Sequence, residues 1–173
     1  MKASVLVILQ LLTSSEVTAQ TPSQWCEYVV RSTKDLLAHA RLGDSANIGF
    51  SGGGFPSRVT LRHTGNTRAV SVARQAFLRK YFQVIDRVGL DTLFRHEVEF
   101  ASADTSYWLP IQEATLADLR AEVAPGDTST LFLLLAGSYG RPNGAHEYVF
   151  LINEFTSPKS ADDWKSTLAS CGH

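Results

Sequence analysis

Two cysteines constrain this chain more than any other feature. Cys26 and Cys171 lie near opposite ends of the 173 residues, and a bond between them would clasp the start of the fold to its finish. Whether they are oxidised depends on compartment, and the first residues bear on that. Met1 and Lys2 make a short positive start. Ala3 to Leu12 is an apolar run broken only by Ser4 and Gln10. Thr13 to Ala19 is polar, with Val17 and Ala19 at the small-residue positions that a signal peptidase reads. Residues 1–19 therefore read as a cleavable signal peptide, with cleavage before Gln20. A membrane anchor needs about 20 apolar residues, roughly twice this run. No later stretch approaches that length, since Leu131 to Ala136 is strand-sized. The expected localisation is secreted or periplasmic, with no membrane span after signal cleavage.

In an oxidising compartment an isolated pair of cysteines is expected to form one disulfide. The alternatives are two buried thiols or a reactive Cys26, but neither cysteine has a CxxC partner or a neighbouring histidine. The bond would close a loop of about 145 residues, for which chain entropy gives on the order of 5 kcal/mol.

Residues 20–173 are expected to form a single globular domain. Hydrophobic content of 44% against 19% charged residues is enough for a core and argues against disorder. Apolar residues from Trp25 to Ala40 recur at helical spacing and predict a first long helix over Ser23–Leu42. The GFSGGGFPS segment, residues 49–57, reads as a loop whose Phe50 and Phe55 tuck onto the core. Arg58 to His63 alternates like a half-buried strand, and Thr64-Gly65-Asn66 reads as a turn. A second long helix is predicted over Val72–Val88 through Val72, Ala73, Ala76, Phe77, Tyr81, Val84, Ile85 and Val88. Strands follow at Leu93–Phe100 and Tyr107–Gln112, the latter at an edge because of Pro110. A short helix is expected at Ala114–Val123, and a hairpin of Thr130–Ala136 with Tyr148–Phe155, both strands covered on two faces. The tail, Ser160–Ala169, predicts one more short helix.

The expected fold class is therefore α+β: an antiparallel sheet of about five strands covered by two long helices. The alternative is a small, partly open β-barrel. With the Val72–Val88 helix set aside, the order of elements resembles OB-like or SH3-like barrels, in which a helix separates the third and fourth strands. That resemblance is topological, and no motif of either barrel family is present.

Chemistry is sparsely signalled. Gly49-Phe50-Ser51-Gly52-Gly53 matches the GxSxG pattern of a nucleophile elbow, but Gly54-Phe55-Pro56 does not start the helix that an elbow requires. The same loop lacks the Gly-Lys-Ser/Thr ending of a phosphate-binding loop, and no cofactor is expected. His39, His63, His96, His146 and His173 show no metal-ligand spacing, so no metal is expected. Glu97 and Glu99 share one strand face, where two acids act as a catalytic pair or simply face solvent. Trp108 and Tyr139 are candidates for an aromatic rim.

Charge is the clearest asymmetry. Net charge is −1, which draws the whole chain to neither nucleic acid nor membrane, yet Arg58 to Leu90 holds seven basic residues against one acid. From Asp91 onward five basic residues face twelve acids. Arg58, Arg62, Arg74, Lys80 and Arg87, with Trp108, are the candidate binding residues, suited to an anionic ligand or an envelope protein. Nucleic acid is disfavoured by the export signal and by the absence of an aromatic–basic stacking motif. The expected function is a non-enzymatic binding or accessory module of the cell envelope. The rivals are a small secreted hydrolase using Ser51 or the Glu97/Glu99 pair, and a structural or interaction protein using the basic face.

Overall fold

The structure, a computed structural model, describes residues 25–41, 47–103, 105–141, 143–169 and 171. The expected signal peptide lies outside the described residues. In chain order the elements are β1 (Val29–Val30), α1 (Thr33–Ala40), β2 (Ile48–Phe50), β3 (Ser57–Ala69) and α2 (Val72–Val84). A 3-10 turn (Leu90–Leu93), β4 (His96–Ser102), β5 (Thr105–Ile111) and α3 (Glu113–Glu122) follow, then β6 (Thr128–Gly140), β7 (His146–Thr156) and α4 (Ala161–Ala169).

The α+β class is as expected, and its details differ. The strands make one seven-stranded sheet in the order β1-β3-β4-β5-β7-β6-β2, with β3 also reaching β6. It is mixed rather than antiparallel, because β1–β3 and β5–β7 run parallel. The long β3 gives its first half to β6 and its second half to β4, so the sheet curls. It does not close into a barrel: β5 and β7 meet at the single pair Ile111↔Ile152.

Among the described residues there are four helices, all short: α3 and α4 fall where the two short ones were expected, and α1 and α2 are shorter than the two long ones expected. The first begins late, because Val29 and Val30 are β-branched and pair with Ser57 and Arg58. Ser32 then caps α1 by accepting the Asp35 amide at 3.1 Å, an [ST]-x-x-[DE] start. The second is capped by Ser71, whose oxygen accepts the Arg74 amide, and stops at Val84 because Asp86 turns left-handed at φ 55°. Its buried face is also rotated. Phe77, Leu78, Tyr81 and Phe82 pack inward, while Val72, Val84 and Val88 are exposed. The Thr64-Gly65-Asn66 segment is not a turn but an irregularity within β3, between His63 and Thr67, made with Gly65 at φ 90° against Pro125.

Two hydrophobic clusters flank the sheet. One joins α1 and α3 to one face of the sheet through Leu36, Val98, Phe100, Leu116, Leu119, Leu131 and Ile152. The other joins Trp25, Tyr28 and the inner face of α2 to Phe132, Val149 and Leu151. Strands β6 and β7 are thus covered on both faces, as their continuous hydrophobicity predicts. The Cys26–Cys171 disulfide is formed, with its Cα atoms 5.2 Å apart. It ties the α4 end to Trp25, and the Trp164 ring lies 5.2 Å from Trp25 and 4.7 Å from Phe132. Among the described residues no helix is long and apolar enough to cross a membrane.

Candidate functional site

A cavity of about 250 Å3 opens where α1 faces the β2 edge of the sheet. Its walls are His39 and Ala40 from the end of α1, Gly49 and Phe50 from β2, Ser51, and Leu135, Gly137 and Ser138 from β6. The pairing of β2 with β6 builds it: Gly49 lies opposite Ser138 and Phe50 opposite Gly137, and the Ser51 amide donates to the Ala136 carbonyl at 3.0 Å. Gly137 is required there. It sits at φ 141°, and a Cβ would overlap the Gly49 carbonyl oxygen.

The loop beneath the cavity holds a strained residue. Phe55 is left-handed at φ 42°, a conformation that costs a non-glycine residue on the order of 1 kcal/mol. It brings the Phe55 ring flat against the His39 imidazole, 3.4 Å between centroids, and under the Arg31 guanidinium at 4.0 Å. The imidazole at the cavity wall is therefore held by stacking rather than by a hydrogen bond.

Three polar side chains converge on this space. Ser138 is only 2% exposed. Among the described residues neither its hydroxyl, nor that of Ser51, nor the His39 ring makes a side-chain hydrogen bond. Lining the cavity, these groups are placed to bond a molecule within it. The remaining walls, Phe50, Leu135 and Ala40, are apolar, and among the described residues no carboxylate lines the space.

The residues singled out by charge fall in separate places. Arg62 on β3 and Lys80 on α2 are exposed, and Arg87, just past α2, is half-exposed. Arg58 is half-buried and its Nε donates to the Tyr28 carbonyl at 2.7 Å, anchoring the segment before β1. Arg74, expected on the outer face of its helix, points inward and is 5% exposed. It pairs with Glu97 and Glu147 and donates to the Trp108 carbonyl at 2.8 Å. It is therefore not part of an exposed basic face. Trp108 is half-buried beneath the Arg68 guanidinium, 3.8 Å from the ring centroid.

Tyr139 is buried too, and donates to Glu147 at 2.7 Å, so it forms no rim with Trp108. Burial works to raise the Glu147 pKa, but the Tyr139 hydrogen bond and the Arg74 guanidinium outweigh it and hold the carboxyl below its usual range. Glu97 is not on a solvated face: it is 0% exposed and held by Arg68 and Arg74. Glu99 bonds instead to Asn66 and Thr64, so the two acids do not act as a pair.

Ser51 was marked by its GxSxG setting. His39 and Ser138 carried no mark, because only the long-range pairing of β2 with β6 and the packing of α1 bring them to it. Among the described residues no group of three or more His, Cys, Asp or Glu could hold a metal ion. No protein-family model, no curated protein and no solved structure matches this chain.

Proposed function

We propose that this protein is an exported, non-enzymatic binding module whose ligand occupies the His39–Ser51–Ser138 cavity. The observation that carries the reading is the convergence of the Ser138, Ser51 and His39 side chains on the wall of an otherwise apolar space. The order β3-β4-β5-β7-β6, with α3 between β5 and β6 in the chain, resembles that of small, partly open OB-type barrels, a fold that hosts binding sites. The cavity is smaller than the range of about 300–1,000 Å3 usual for drug-sized ligands, so its occupant is a small molecule. With two hydroxyls and one imidazole among its described walls, the cavity's chemistry favours a neutral or anionic group such as a carboxylate or carbonyl, with a short apolar portion against Phe50 and Leu135.

Thermal-shift titration with two- to four-carbon monocarboxylates and their amides tests this. A saturable rise in melting temperature, lost in Ser138→Val and kept in Arg62→Ala, is expected. No response to any member of the series refutes it. A hydrolase is the second reading, favoured only by the fact that Ser51 and His39 line the same cavity. Against it, Ser51 is followed by a Gly52–Gly53 turn rather than by a helix. Turnover of short-chain esters that disappears in Ser51→Ala would replace the binding reading with this one.

A further inference from the structure

We infer that the outward face of α2 and the turn after it docks on an anionic lipid bilayer. The inner face of α2 is fully engaged with the core through Phe77, Leu78, Tyr81 and Phe82. The opposite face is unusual for a helix in water. Val72 is 87% exposed and Val84 63%; beyond the helix Val88 is 76% exposed and Leu93 38%. Four of the seven exposed large hydrophobics among the described residues fall in this one segment. Val72, Ala76, Lys80 and Val84 follow at four-residue spacing, so they form one row along the helix.

Cations are interleaved with these valines. Arg79 has a 65% exposed side chain, Lys80 and Arg95 are exposed, and Arg87 is half-exposed. The acids here are Asp86, which is exposed, and Asp91, which is buried and lies 3.6 Å from Arg79. The face is therefore positive and apolar at once. Its long cationic side chains can reach lipid phosphates while the valines meet the acyl boundary. The interleaved cations complement a surface dense in phosphates, which commits the face to an anionic bilayer.

Cosedimentation of the oxidised chain with vesicles tests the assignment. Pelleting is expected with equimolar phosphatidylcholine and phosphatidylglycerol, weakening as sodium chloride is raised, and not with phosphatidylcholine alone. Lys80→Glu/Arg87→Glu should abolish it. Val84→Ser/Val88→Ser, which leaves the charge unchanged, should weaken it by about tenfold. Both variants change exposed side chains, and an unaltered melting temperature shows that each is folded. Absence of phosphatidylglycerol-dependent pelleting overturns the proposal, as does pelleting that neither variant changes. A self-association detected by light scattering and lost in Val84→Ser/Val88→Ser, without lipid binding, would assign the face to a second copy and equally overturn it.

Discussion

Replacing Arg74 by methionine keeps the aliphatic stem of the side chain and removes its charge from the most enclosed ion pair among the described residues. The Arg74 and Glu97 side chains are 6% and 0% exposed. Without Arg74, Glu97 keeps only the Arg68 Nε at 2.7 Å, from a side chain 48% exposed and therefore well screened. The Trp108 carbonyl loses its donor, and Glu147 is left with Tyr139 and Arg141. Removing one partner of a buried pair costs about 3–5 kcal/mol, because it strands the other charge. That is a large share of a total near 5–15 kcal/mol. Urea unfolding with the disulfide intact measures it by linear extrapolation. Arg68→Met, which removes a half-exposed partner of the same carboxylate, should cost about 1 kcal/mol or less. The double variant Arg74→Met/Glu97→Gln should recover part of the loss, because no buried charge is then left uncompensated. A cost below about 1 kcal/mol for Arg74→Met, or one no greater than that of Arg68→Met, would show that the pair is not a buried clamp.

Glu154 is pushed up to about 7 from 4.5, first by burial and then by Asp118 and Glu122, against the Phe155 amide that lowers it. The folded state therefore holds a proton that the unfolded chain releases. Stability should fall as pH rises from 4.5 to about 7, by up to about 3 kcal/mol. Glu154→Gln should flatten that slope and be the more stable protein at alkaline pH in urea titrations; an unchanged slope refutes the assignment. Cys26→Ser/Cys171→Ser opens a loop with a sequence separation of 145 and should cost up to about 5 kcal/mol. Calorimetry showing no drop in melting temperature would mean the clasp is not stabilising. Gly137→Ala forces a methyl group into the Gly49 carbonyl at a positive φ and should cost about 3 kcal/mol. Hydrogen exchange should then quicken at the β2 amides, and protection as in the parent protein would contradict the close approach.

Much of the fold was legible along the chain because it rests on local rules. The hairpin of β6 with β7 follows from two nearly continuous hydrophobic runs, and α3 and α4 lie within a residue or two of where periodicity puts them. The late start of α1 was legible as well, in Ser32 and Asp35, but a stripe of apolar residues running back to Trp25 masked it. Those earlier residues are apolar for another reason: Trp25 and Tyr28 belong to the second cluster and β1 pairs with β3. Periodicity also misjudged α2, since Val72 and Val84 extend the apolar row on the wrong side of Phe77 and Tyr81. Among the candidate binding residues, exposure separated Arg62 and Lys80 from Arg74, and nothing local distinguishes them.

By itself the sequence determined the larger strands and helices, though not β1 or β2, and that Cys26 and Cys171 could be joined, because backbone propensity, capping and cysteine count act locally. Tertiary structure alone decided that Arg74 faces Glu97 and Glu147 rather than solvent, that Ser51 shares a cavity with His39 and Ser138, and that α2 turns its valines outward. These depend on pairings between distant strands and on which helix face finds apolar surface to cover. Burial and the electrostatics that follow from it are properties of the assembled layers.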